Sequence, residues 1–176
     1  AAMPAQDGQK AFRSSSWGDS KSVVKNKETA RFQNEEPNYL WYSAMVGGHP
    51  CTILYIFVND KLVRAKYILE EEHSNLNRYI DSFFDLKNNL EKKYGKPSVD
   101  NVNWHNDLYQ NDQQDWGFAI SLGHLTAYSE WSAGDTTVDI AINGENNSIM
   151  VSVEYVSKKL AHLEQAQIEQ SVLADL

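Results

Sequence analysis

An α+β fold built from two α-β-β-β repeats is what this sequence predicts, with antiparallel strands, the helices on one face and a further helix at the C-terminus. Three observations lead there. A helical pattern followed by three strand patterns occupies residues 12–72, and the same order returns over residues 73–156. Tight-turn pairs, Gly47-Gly48, Asn59-Asp60 and Asn143-Gly144, separate neighbouring strand patterns and favour hairpins over crossovers. Residues 157–176 then carry a last helical pattern with no strand beyond it. At 176 residues the whole suits one compact domain.

Residues 1–11 are small and polar, a composition that predicts disorder. Asp19 or Ser20 offers an oxygen to cap a short helix over about 20–31. Val23, Val24 and Ala30 give it a weak apolar face, and Trp17 ahead of the cap can staple it to a core. After a break at Glu35-Glu36-Pro37-Asn38 come three strands, Tyr39–Val46, Pro50–Val58 and Leu62–Leu69. The last alternates Val63, Ala65, Tyr67 and Leu69 against Arg64 and Lys66. In the middle one Ile53, Tyr55 and Phe57 oppose Leu54, Ile56 and Val58, so both faces must be covered and the strand must lie inside its sheet.

The second helix is the clearest element. Ser74 or Asn75 can cap it, and Leu76, Tyr79, Ile80, Phe83, Leu86, Leu90 and Tyr94 recur at helical spacing until Gly95 and Pro97 end it. That stripe faces the sheet, as core packing or as the lining of a ligand cavity. Residues 98–115 read as a long polar linker. Three strands follow: a long Phe118–Trp131 bent at Gly123, then Val138–Ile142, then Ile149–Tyr155. The final helix, from about Ser157, aligns Ala161, Ile168, Val172 and Leu176, to pack on the domain or on an oligomeric partner.

Composition excludes several classes. No apolar run exceeds the strand-length Ile53–Val58, so no membrane-spanning helix is predicted. The net charge is −8, and it is unevenly placed: residues 1–72 carry nine bases and nine acids, residues 73–176 seven and fifteen. Without clustered Lys and Arg a nucleic-acid partner is disfavoured. The single Cys51 can form no internal disulfide and reads as a small buried hydrophobe. The start, Ala1-Ala2-Met3-Pro4-Ala5-Gln6, is compatible with the stretch left after a signal peptide is removed.

Three motifs stand together: Phe12-Arg13 followed by Trp17-Gly18-Asp19-Ser20-Lys21, the Tyr55–Tyr67 hairpin turning at Asn59-Asp60-Lys61-Leu62, and Leu90–Pro97 with its Tyr94-Gly95-Lys96-Pro97 end. Over residues 12–157 the chain resembles uncharacterised bacterial exported proteins and lipoproteins with an FR…WG-x-S-K start and a YGKP motif. The resemblance implies a periplasmic or secreted location and brings no activity with it. In layout the chain is also similar to the tandem fold of beta-lactamase-inhibitory proteins and outer-membrane assembly lipoproteins. It departs from those inhibitors in lacking paired cysteines.

No phosphate loop, HExxH, Cys-x-x-Cys or G-x-S-x-G pattern is present. The histidines are scattered; His49, His73 and His124 read as structural or exposed. The linker holds the one constellation of interest. Asp100, Asp107, Asp112 and Asp115, with Asn103, Asn106, Asn111 and His105, gather oxygen donors without a neutralising cation. No cofactor is predicted; the one cation such donors would suit is Ca²⁺, although the spacing is not that of an EF-hand loop. Trp104, Tyr109 and Trp116 flank the same acids and are natural binding anchors. The expected site is therefore Trp104, His105, Asp107, Tyr109, Asp112, Asp115 and Trp116, facing a protein or a small polar or cationic ligand. The first functional reading is a non-catalytic extracytoplasmic binding protein. A metal-dependent hydrolase using His105 and the linker aspartates is the second. A carrier with an apolar cavity of at least ~300 Å³ between the 76–94 helix and the sheet is the third.

Overall fold

Two four-stranded halves join edge to edge into one eight-stranded antiparallel sheet. The computed structural model describes residues 10–175; of the disorder expected over residues 1–11, residues 1–9 lie outside them, while Ala11 N donates to Ser15 O at 2.8 Å. The first half runs α1 (Lys21–Lys27), β1 (Arg31–Glu36), β2 (Tyr39–Val46), β3 (His49–Val58), β4 (Lys61–Leu69). The second runs α2 (Asn77–Tyr94), β5 (Val99–Trp104), a 3-10 turn at Gln113–Asp115, α3 (Trp116–Ser121), β6 (Leu125–Ala133), β7 (Thr136–Glu145), β8 (Ser148–Ser157), and α4 (Ala161–Ala174) closes the chain. The strand order is β1-β2-β3-β4-β8-β7-β6-β5. The halves thus meet through their equivalent last strands, with Ala65 opposite Tyr155 and Tyr67 opposite Val153.

The α+β class, the repeat and the C-terminal helix are those the sequence predicts; each half carries a fourth strand that it does not. Residues 31–36 form an outer strand instead of the end of a helix and a break. Every residue of β1 is exposed, so no alternation marks it; pairing with β2 holds it, together with Lys21 and Lys25 of α1, which bind Glu35 at 3.4 and 2.6 Å. Residues 99–104 of the supposed linker are the opposite edge, β5, paired with β6. The long strand expected from Phe118 is a helix followed by a strand. Trp116, Ala119 and Ile120 fall at helical spacing, Ala119 and Ile120 are buried, and Gly123 at φ +75° reverses the chain into β6.

The β7–β8 turn is Asn146-Asn147, both at positive φ, and not Asn143-Gly144. A turn at 143–144 would set Glu145 and Asn147 opposite Ile142 and Ile140 on the core face. The observed register sets Val151 and Val153 there instead.

One face of the sheet, with α1, α2 and α3 on it, holds the core: Leu40, Ile53, Tyr55, Ala65, Val138, Ile140 and Ile142 are all buried. Ser20 caps α1 by accepting from Val23 N, and Asn75 Oδ1 accepts from Asn77 N at the start of α2. At the other end of α2 the buried Trp131 donates its indole N–H to Gly95 O at 2.8 Å. The other face of β3 and β4 is touched by α4, whose Glu164 pairs with Arg64 at 2.9 Å. That cover agrees with β3 being apolar on both faces, Leu54 and Val58 included. Cys51 is buried, and burial pushes its thiol up to about 11.

Helix α3 seats against α2 and β7 only because two glycines allow it. A Cβ on Gly117 would lie 2.4 Å from the Leu76 carbonyl carbon, and one on Gly144 2.4 Å from Ile120 O. Gly117→Ala should therefore destabilise the protein by about 1–3 kcal/mol, because backbone rather than a movable side chain must yield. Urea unfolding measures this; a midpoint within error of the parent would refute the close seating.

Candidate functional site

The expected site residues divide between two directions. Trp104 ends β5 opposite Leu125 on the core side of the sheet, and Trp116 opens α3. Their rings meet edge to face at 6.0 Å. Both are half-buried, and with Ile80, Phe84, Val102 and Leu125 they line a small apolar groove between α2, β5 and α3. Its volume is about 90 Å³. Phe84 is 47% exposed and Val102 64%. His105, the next residue after Trp104, turns to the other face, where its Nε2 lies 3.0 Å from Thr126 Oγ1. Alternation along the strand makes this unavoidable.

The loop from His105 to Asp115 is wound upon itself. Gln110 N donates to Asp107 O, Asp112 N to Tyr109 O, and Trp116 Nε1 to Gln110 O at 3.2 Å. Tyr109 packs on Phe118 at 5.5 Å and stacks on His124 at 6.0 Å. Asp112 is a cap, accepting from Gln114 N at 3.1 Å, and Asp100 is neutralised by Lys87 at 2.8 Å. The gathering of aspartates and His105 that the alternative Ca²⁺ or metal-hydrolase readings would need is not assembled among these loop contacts. Among the described residues no group of three His, Cys, Asp or Glu side chains is arranged to hold a metal ion. The oxygen donors of a polar loop serve its own backbone instead. The sequence reading also missed two walls of the groove. Phe84 lies just off the apolar stripe of its helix, and Val102 is one apolar residue in a segment read as linker.

Two further clusters of shifted groups lie elsewhere. Between the β2–β3 turn, the end of β4 and α2, Glu71 accepts from three sides. His49 Nδ1 lies 2.5 Å away, His73 Nε2 2.7 Å and Ser82 Oγ 2.6 Å, while His49 Nε2 reaches Asp85 at 2.8 Å. Partial burial would raise the Glu71 pKa, but these bonds, Ser82 first, bring it down to about 2. Burial likewise opposes charging of His49, and the Asp85 and Glu71 carboxylates outweigh it, so its pKa is raised. The cluster ties α2 of the second half to the first half.

On the face away from the core, Glu130, Asp139 and Glu154 stand in register across β6, β7 and β8, with Lys66 of β4 next in the row. Lys66 and Arg64 both pair with Glu154, at 3.1 and 2.9 Å, which leaves Asp139 between two carboxylates. Burial first, then repulsion from Glu154 and Glu130, pushes Asp139 up to about 7.

Compared with models of known families, with curated proteins and with solved structures, the chain matches none. No helix among the described residues is long and apolar enough to cross a membrane.

Linkage gives the two clusters opposite signatures. Glu71, held below its ordinary 4.5, stabilises the fold above that value and loses the contribution as pH falls toward about 2. His49, held above 6.5, contributes below that value and stops as pH rises through its raised pKa. Both act fully between pH 4.5 and 6.5. Glu71→Gln should cost about 1–3 kcal/mol there and less as pH rises above that window and His49 loses its proton. A loss that stays constant as pH is raised, by urea unfolding, would exclude the charged cluster. Asp139 prefers its proton when folded, so its cost grows from pH 3.8 to about 7. Asp139→Asn should gain melting temperature relative to the parent as pH is raised through that range; a constant difference would count against the repulsive row.

Proposed function

We propose that this protein is a non-catalytic binding protein of the extracytoplasmic space, and that its partner docks on the apolar groove of the second half. The carrying observation is the groove itself: two indoles meeting edge to face, flanked by the exposed Phe84 and Val102. At about 90 Å³ it is too small to enclose a ligand, which takes ~300 Å³ or more, and is the size of one inserted side chain. That supports an interaction surface over an apolar carrier.

Charge and hydrogen bonding describe the partner. Between Lys96 and Lys158 the chain has no lysine or arginine, while Asp107, Asp112 and Asp115 lie in the loop between the two elements that carry the indoles. The outer edge of β5 has no strand beside it among the described residues. An extended basic segment with one large apolar anchor meets all three conditions. Its backbone adds to the β5 edge, its anchor enters the groove and its cations face the aspartates. The extracytoplasmic placement rests on the resemblance of the Phe12–Lys21 and Leu90–Pro97 motifs.

A ten-residue peptide alternating Lys with Leu or Phe probes this reading. Titrated into the ¹⁵N-labelled protein, it should shift β5 amides and the Trp104 and Trp116 indole signals. Trp104→Ala should weaken binding by at least about thirtyfold, the loss of a central anchor. Val102→Lys should weaken it as well, by charge on the edge. An unperturbed spectrum at millimolar peptide, or shifts confined to other surfaces, would remove the proposal.

A further inference from the structure

A roomier cleft lies elsewhere, on the core side over the β4–β8 junction, with a volume of about 690 Å³. Its floor is Tyr67 of β4 and Tyr155 of β8; one wall is the segment before α1 and the other the last turn of α2. The two motifs quoted above for the resemblance, far apart in the chain, meet here, since Arg13 and Trp17 come from the first and Lys93 and Tyr94 from the second.

The charges of this cleft oppose those of the protein. In a chain of net charge −8, the lining carries Lys10, Arg13, Lys93 and Lys159 against one carboxylate, Asp135. Arg13 is spoken for: Glu28, its side chain 1% exposed, binds the guanidinium at 2.8 and 3.0 Å. Asp135 is occupied too, accepting from Lys159 N at 3.2 Å and Ser157 Oγ at 3.4 Å. Among the described residues none of Lys10, Lys93 and Lys159 is paired with a carboxylate. Three segments distant in sequence therefore bring three ammonium groups to one opening.

Below them the surface is aromatic. Trp17, Tyr67 and Tyr94 are partly exposed in the cleft, and Trp17 is fixed by donating its indole N–H to Thr136 Oγ1 at 2.8 Å. Phe12 sits between Tyr67 and Tyr155, at 4.8 and 5.0 Å, and stiffens the floor. Burial raises the pKa of both tyrosines, which keeps their phenols protonated and able to donate. Rings below and ammonium groups at the mouth are complementary to a flat molecule that carries an anionic group at one end.

We propose that the cleft over the β4–β8 junction is a binding site for a small aromatic oxyanion, its ring against Trp17 and Tyr94 and its phosphate or carboxylate among Lys10, Lys93 and Lys159. The volume lies inside the range of small-molecule sites. The site is separate from the groove by the indoles and does not depend on it.

Calorimetric titration with 1-naphthyl phosphate, 1-naphthol and inorganic phosphate tests this. The naphthyl phosphate should bind at a single site, at least about tenfold more tightly than either of the others, and more weakly as salt is raised. Lys93→Glu combined with Lys159→Glu, both exposed positions, should weaken it by about tenfold or more with the melting temperature kept. Trp116→Ala should leave it unchanged. As a readout independent of any variant, the Trp17 indole signal of the parent protein should shift on titration. Equal binding of 1-naphthol or of inorganic phosphate would overturn the proposal. So would undiminished binding to the Lys93/Lys159 variant, shifts at Trp104 and Trp116 in place of Trp17, or no binding at millimolar probe.

Discussion

Everything in this molecule hangs on the pairing of β4 with β8. Each half is a four-stranded sheet with a free last strand, and a free strand edge must be paired or covered. Joining the two last strands removes both edges at once and makes one continuous sheet. Side chains lock the junction from the core side. Phe12, from the first half, rests on Tyr55 and Tyr67 of its own half and on Tyr155 of the other. Trp17 reaches across to Thr136. Arg13, at φ 53° in the tight turn closed by Phe12 and Ser15, sends its side chain to Glu28, which also accepts from Tyr55 and from the Ala30 amide. A buried carboxylate with this many donors is satisfied, and breaking one partner would leave the rest of the network uncompensated.

The junction also organises charge. The first half and the flanks of the second supply every lysine and arginine, while residues 97–157 supply none. On the face away from the core, Arg64 and Lys66 of β4 therefore balance Glu154 of β8, and the acids farther out on β7 and β6 are left to repel each other. On the core side Lys93 and Lys159 bracket the cation-free stretch in sequence and come together in space at the cleft. The outcome is an apolar groove near one edge, next in sequence to a loop carrying three aspartates, and a cleft over the junction lined by lysines and aromatic rings.

How far the sequence could be read depended on burial. Long elements with one buried face were plain: the helix bearing Phe83, Leu86 and Leu90, and the strands bearing Ile53–Phe57 and Val138–Ile142, keep a period that only one structure satisfies. The two outer strands were invisible because an edge strand with both faces wet, such as Arg31–Glu36, needs no alternation. The stretch Trp116–Ser121 is too short for its period to separate helix from strand, and Gly117 against α2 decided it. Asn143-Gly144 and Asn146-Asn147 are both good turn pairs, and only the core register chose between them. Of the expected site, Trp104 and Trp116 do converge, whereas His105 and the aspartates scatter because a strand alternates and a loop caps itself.

By itself, then, the sequence determined the α+β class, the repeated order of helix and hairpins, the interior position of the Ile53–Val58 strand and the imbalance of charge between the halves. These follow from local periodicity, turn chemistry and composition, which act over a few residues. Only the tertiary structure decided that the halves join through β4 and β8, that Phe12, Trp17, Lys93 and Lys159 surround one cleft, and that Glu71 is shared by His49 and His73. Each of those contacts joins residues whose partners no local rule can name, because side-chain packing and charge pairing across the sheet select them from many chemically equivalent alternatives.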